Sequence, residues 1–233
     1  MAELILARHA QASFGAENYD QLSELGTQQS AWLGEYFAGA DLAFDAVICG
    51  ALKRHRQTVD TALGRMNGSG VPAGEVLSDD NINEYDFEGL LRAYGERHPD
   101  DPLLADWQAD PSSKSAFYRL FRNVLTDWVA DDLPAATESW QQFQDRIAAF
   151  GERLMREFAG AGRVLVVTSG GPIAILLGQV LELNPARTFD LNLAIRNASI
   201  TRCRVDAGRI RLDEFNGVPH LDHPDRRHAI TYA

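Results

Sequence analysis

The sequence predicts an α/β protein, a three-layer α/β/α sandwich around a mostly parallel central sheet with a helical insertion forming a lid or cap. Three observations predict it. Short apolar strands at 3–7, 45–50 and 163–169 alternate with segments of helical periodicity, as in sheets covered on both faces. One long stretch, from Tyr85 to about Pro134, interrupts that rhythm with acidic, aromatic and loop-forming residues. Beyond Asn197, two alternating runs joined by Asp206-Ala207-Gly208 signal a hairpin.

The elements follow in order. "ELILA" (3–7) reads as a buried strand, because its apolar run is too short for a signal peptide or a membrane span. Between it and the strand "DAVICG" (45–50), Leu25, Trp32, Leu33, Tyr36 and Phe37 recur near helical spacing. "KRHRQTVDTALGRM" (53–66) reads as a helix, and "EVLSDDNINEY" (75–85) as strand into loop. Within the insertion at about 85–134, Phe117, Leu120, Phe121, Val124, Leu125 and Trp128 form the stripe of one packed helix, while "HPDDP" and "DPSSK" read as punctuation. "RVLVVTS" (163–169) is the third strand, and "PIAILLGQVLEL" (172–183) its following helix, with Pro172 near the start. No linker or repeat divides the chain, so 1–233 reads as a single domain.

Composition sets bounds on partners. The 233 residues contain 45% hydrophobic side chains, enough for a sizeable core. A net charge of −11 argues against a nucleic-acid surface or an anionic membrane, but a few local arginines can reverse the field in one pocket. Cys49 and Cys203 lie far apart with no metal-ligand spacing, so they read as buried reduced thiols, and a cytoplasmic location is the default expectation. Oligomeric state is left open.

Ligands of open parallel sheets bind beyond the carboxyl ends of the strands. There the sequence places Arg8-His9, the segment from Gly50 to Arg56, and Ser169-Gly170-Gly171. Two arginine-bearing turns and a glycine-rich turn at the head of a helix suit a phosphate dianion, since guanidinium bonds it bidentately and the helix N-terminus offers free N–H groups.

These motifs resemble the histidine phosphatase superfamily, the phosphoglycerate mutase-like group. "LARHAQASF" (6–14) resembles its strand-end Arg-His-Gly signature, with Ala10 where glycine is usual, and "YDQLSELGTQQ" (19–29) its following segment. "GALKRHRQTVDTA" (50–62) resembles a motif usually written Ser-x-Leu-x-Arg-Ala-x-Gln-Thr-Ala, and "INEYDFEG" (82–89) the acidic motif. "TESWQQFQDR" (137–146) and "FNGVPHL" (215–221) are also similar to family segments. The last motif, usually Ser-His-Gly-Gly, aligns with Thr168-Ser169-Gly170-Gly171, so Ser169 stands where a second catalytic histidine is expected.

The resemblance implies a phosphomonoester phosphatase acting on a small phosphorylated substrate without metal or cofactor. His9 is implied as the nucleophile, Arg8 and Arg54 as phosphoryl-binding cations, and Glu84 as the proton donor. Ser13, Ser169 and Gly170 are implied at the substrate, with Ser169 supplying a hydrogen bond but no charge and so reducing turnover. His55 replaces a residue that is usually small and reads as a partly exposed helix position, and His220 as structural. Three alternatives stand beside this reading. One is a non-catalytic phosphoryl-ligand binder or regulatory relative. Another is a mutase, although "NEYDFEGLL" lacks the longer acidic-aromatic-Gly pattern. The third is a serine hydrolase using Ser169 with His223 or His228, although the first glycine of the elbow motif is absent.

Overall fold

The computed structural model describes residues 1–13, 20–66, 70, 74–110 and 113–232. Phe14 and Tyr19 of the motif segments, and Pro111 and Ser112 of "DPSSK", lie outside the described residues. Along the chain, β1 (Ala2–Arg8), α1 (Glu24–Gly39), β2 (Ala46–Cys49), α2 (Lys53–Arg65) and the two-residue β3 (Leu77–Ser78) come first. Next are α3 (Phe87–Arg97), α4 (Pro102–Ala109), α5 (Lys114–Val129) and α6 (Trp140–Glu157). The chain ends with β4 (Arg163–Thr168), α7 (Gly170–Val180), α8 (Pro185–Ala194), β5 (Ile200–Val205) and β6 (Ile210–Gly217).

The six strands form one sheet in the order β3-β2-β4-β1-β5-β6. The first four are mutually parallel, whereas β5 lies antiparallel to β1 and closes the predicted hairpin with β6. Strand alternation assigns the core residues to two faces. On one, Ile5, Ala7, Val47, Cys49, Leu165 and Val167 pack with Leu33 and Phe37 of α1 and Val59 and Ala62 of α2. On the other, Leu6 and Val166 meet Ile147 and Phe150 of α6 and Ile173 and Leu176 of α7. Each Val, Leu, Ile or Phe among them contributes about 1.5–3 kcal/mol on full burial. The helices therefore cover both faces of the sheet, as the alternating sequence predicts. Cys49 and Cys203 are buried in strands as free thiols, and burial pushes the Cys203 thiol up to about 12. No helix among the described residues is long and apolar enough to cross a membrane.

The chain divides into two compact units, Met1–Glu84 with Ile147–Ala233, and Tyr85–Arg146. The second unit is helical, and its interior is aromatic. Trp128 lies 5.2 Å from the Tyr85 ring, 5.2 Å from Trp140 and 5.6 Å from Phe143, and its indole N–H donates to the Glu138 carbonyl (2.8 Å). The predicted stripe forms α5, with Leu120, Phe121, Val124, Leu125 and Trp128 all buried. The loop-rich reading of the residues before it is corrected by α3 and α4. The Asp-Pro that reads as punctuation is a helix start: Asp101 accepts from the Leu103 N–H (2.7 Å), and Pro102 opens the first turn. Asp86 caps α3 in the same way, accepting from the Gly89 N–H (2.8 Å).

Helices α1 and α2 touch at Gly34. A Cβ there would fall 2.1 Å from the Ala62 carbonyl oxygen and 2.8 Å from Arg65 Cβ, so the glycine sets how closely the two helices approach. In open space a helical Gly→Ala change gains about 1 kcal/mol. At this contact overpacking outweighs that gain, and Gly34→Ala is expected to lower the unfolding free energy by about 1–3 kcal/mol. Urea denaturation measures it, and an equal or higher midpoint at unchanged slope contradicts the contact.

Candidate active site

The site is assembled where two parallel strands end together. Arg8, the last residue of β1, pairs in register with Thr168, the last of β4, and the His9 N–H donates to the Thr168 carbonyl (2.7 Å). His9 and Ser169 therefore leave adjacent strands side by side. Ser169 is the N-cap of α7, which begins at Gly170, two residues earlier than the sequence suggests. The first turn of that helix thus includes the Gly170-Gly171 pair. The Glu84 carboxylate accepts from the Gly171 N–H (3.2 Å), which brings Glu84 to the same helix head.

His9 is 4% exposed and its protonation is fixed by geometry. Its Nδ1 lies 2.7 Å from the Ala10 carbonyl, which only accepts, so Nδ1 carries the proton and Nε2 the lone pair. That lone pair accepts from the Arg54 Nε–H (3.3 Å). Burial, and then the Arg8 and Arg54 guanidiniums, hold the imidazolium form of His9 well below the ordinary histidine range. The ring is neutral at pH 7, with an unprotonated nitrogen beside a guanidinium.

The arginines are held in turn. The Arg8 Nη1 donates to the Ile195 carbonyl (2.5 Å). The Arg54 Nη1 pairs with Asp20 Oδ1 (2.9 Å), and the same carboxylate accepts from the Lys53 and Arg54 N–H groups (2.8 and 3.4 Å). Leu52, the formal N-cap of α2, has no side-chain oxygen, and Asp20 supplies the missing acceptor from elsewhere in the chain. The Ser13 N–H donates to the Gln21 carbonyl (2.8 Å).

His55 corrects its sequence reading. It is not partly exposed but 0% exposed, its Nε2 is 2.7 Å from Ser169 Oγ, and its ring centroid is 5.5 Å from that of His9. Burial, and then Arg54, lower its basicity well below the ordinary range. The Ser169 Oγ meets His55, and the Ser169 backbone is ordinary extended chain (φ −104°, ψ 172°) rather than a strained elbow. Asp20 and His55 are the residues that sequence reasoning missed. Asp20 lies in the segment 19–29 and His55 in 50–62, and only the fold shows what they touch.

A buried neutral imidazole with the buried arginines Arg8 and Arg54 stands at the carboxyl edge of the parallel strands of an α/β protein. Residues 4–217 match the histidine phosphatase superfamily (branch 1), and the chain belongs to that superfamily. Solved structures share the fold. A phosphoglycerate mutase from Bacillus anthracis is 19% identical with a TM-score of 0.65, covering 94% of each chain. A mycobacterial glucosyl-3-phosphoglycerate phosphatase is 22% identical with a TM-score of 0.63, over 93% of this chain and 99% of the other. A phosphoserine phosphatase mutant from Entamoeba histolytica, in complex with phosphoserine, is 17% identical with a TM-score of 0.62, over 95% of this chain and all of the other.

The buried histidines fix the direction of the pH response. His220 is 4% exposed, and burial, followed by Arg226, pushes it down to about 3. A group whose folded pKa is depressed stabilises fully above its unfolded pKa, about 6.5 for histidine, and loses that contribution as pH falls. Each such histidine steepens the loss by about 1.4 kcal/mol per pH unit. His220→Leu is expected to flatten the decline between pH 6.5 and pH 5 by about one proton. Chemical denaturation across that range reads the slope, and an unchanged slope contradicts the neutral buried state.

Proposed function

We infer that the protein is a phosphomonoester phosphatase that works through a phosphohistidine on His9. The single observation that carries this is the fixed tautomer of His9, with its Nε2 lone pair beside Arg54 and its ring neutral at working pH. A phosphoryl dianion entering between Arg8 and Arg54 draws the Arg54 guanidinium onto its oxygens and releases that lone pair. His9 Nε2 then bonds to phosphorus as the ester P–O bond breaks, while Glu84 gives its proton to the leaving oxygen. The Glu84 carboxylate next takes a proton from water, whose oxygen bonds to phosphorus as the P–N bond breaks. Phosphate leaves, and His9 and Glu84 return to their starting states. The two guanidiniums spread the charge of the in-line transition state, so the reading needs no metal. Ser169, at the position where the resemblance expects a second histidine, offers a hydroxyl and no charge, so a turnover below that of a two-histidine site is the expected result.

The test is phosphate release from p-nitrophenyl phosphate and a panel of alkyl phosphates in the presence of a chelator, with rapid acid and base quenches. The expected result is turnover with a base-stable, acid-labile phosphoprotein, both lost in His9→Ala. Arg54→Ala should lower kcat/KM by about 10²-fold or more, the cost of one preorganised donor. Glu84→Gln should slow alkyl esters far more than the aryl ester, whose leaving group needs no proton. Phosphate or vanadate binding without any turnover would instead assign the chain as a binder.

A further inference from the structure

Outside that reaction scheme, the His55 imidazole has no assigned work, yet it is fully buried beside His9 and Ser169. His55 and Ser169 are each 0% exposed and share a 2.7 Å contact between Nε2 and Oγ. Such a polar pair persists in a core only when its groups bond each other. The chain also makes room for this ring. A Cβ at Gly50 would fall 2.2 Å from His55 Nδ1 and 2.8 Å from its Cε1, so the imidazole lies where any larger residue at 50 would put a side chain. The ring is tilted 40° to that of His9 at 5.5 Å, and Ser169 leaves β4 beside His9. The pair therefore borders the nucleophile on one side and the head of α7 on the other.

We propose that His55 is a positioning residue for the phosphoryl group, acting through Ser169 by turning its hydroxyl outward as a hydrogen-bond donor. A serine hydroxyl has one proton. When it is given to His55 Nε2, only oxygen lone pairs face the site, and these repel an anion. When Nε2–H donates to Ser169 Oγ, the Ser169 O–H is free for a phosphoryl oxygen. A dianion between Arg8 and Arg54 selects the second arrangement, because both dipoles in the chain then point at negative charge. The neutral imidazole has one proton, on Nδ1 in the first arrangement and on Nε2 in the second, and neither residue forms a bond to phosphorus. His55 thus delivers an oriented donor to the site without entering it.

This inference rests on the phosphatase reading, and one set of variants separates the two. kcat and KM for p-nitrophenyl phosphate and the inhibition constant of vanadate are measured for His55→Ala, Ser169→Ala, their double variant and His9→Ala. His55→Gln and the exchange His55→Ala with Ser169→His are measured beside them, with thermal melting for each. His55→Ala and Ser169→Ala should each lower kcat about 10- to 100-fold and weaken vanadate similarly, while KM moves less than threefold. The double variant should be no worse than the worse single one. His55→Gln, whose side-chain amide still donates to Ser169, should recover part of the loss. The exchange, which moves the ring across the contact at nearly constant volume, should return activity to within tenfold of the starting protein. Where His55→Ala does not fold, the Gln and exchange variants decide alone. Wild-type kcat in His55→Ala overturns the proposal, as does a double-variant loss equal to the product of the single losses, or, where His55→Ala does not fold, a folded His55→Gln and exchange variant that both stay more than a hundredfold below the starting protein. If His9→Ala keeps activity and an organophosphonate labels Ser169, then His55 is a base for a serine nucleophile, and the phosphatase reading falls too.

Discussion

The in-register parallel pairing of β1 with β4 is the constraint on which the rest of the site depends. Because Arg8 pairs with Thr168, the two chains end together, and the next residues, His9 and Ser169, emerge as neighbours. A slip of one residue would send every side chain of either strand to the opposite face. It would bury Arg8 in the apolar layer and turn core residues such as Leu165 and Val166 about. Both strands are buried over nearly their whole length, so hydrophobic burial fixes the register. The position of His9 is thus set by the core, several kcal/mol at a time.

What the strands place, the helices charge. Helix α2 brings Arg54 and His55 to the same end of the sheet, and its own first turn is held by Asp20. Four near-buried basic side chains, Arg8, His9, Arg54 and His55, stand together in a protein whose net charge is −11. Burial, and then the neighbouring guanidiniums, hold both histidines neutral. Neutrality is what a nitrogen nucleophile requires. This concentration of basic groups is local, and a whole-chain charge count conceals it.

Much of this was legible beforehand. The alternation of short apolar runs with helical spacing gave the sheet and its two covered faces, and Asp206-Ala207-Gly208 gave the hairpin. Arg8, His9, Arg54 and Ser169 were readable because strand-end residues of a parallel sheet converge whatever the remaining detail. Elements were misread where one signal serves two structures. Asp101-Pro102 is a turn in one context and a capped helix start in the other, and the packing of α4 decides between them. His55 was misread because, in the basic run "KRHR", periodicity does not show which residue faces inward.

By itself the sequence determined the architecture, the superfamily and the set of chemical groups at the strand ends, because these follow from local periodicity and short motifs. The tertiary structure alone decided which of those groups touch. Gly50, His55 and Ser169 each depart from the usual motif residues, at positions separated by up to 119 in the chain, and their meaning is joint. The missing Cβ at Gly50 is filled by the His55 ring, and that ring bonds Ser169. No spacing rule connects residues on separate elements. Only the sheet that brings β2, α2 and β4 together turns three isolated substitutions into one contact.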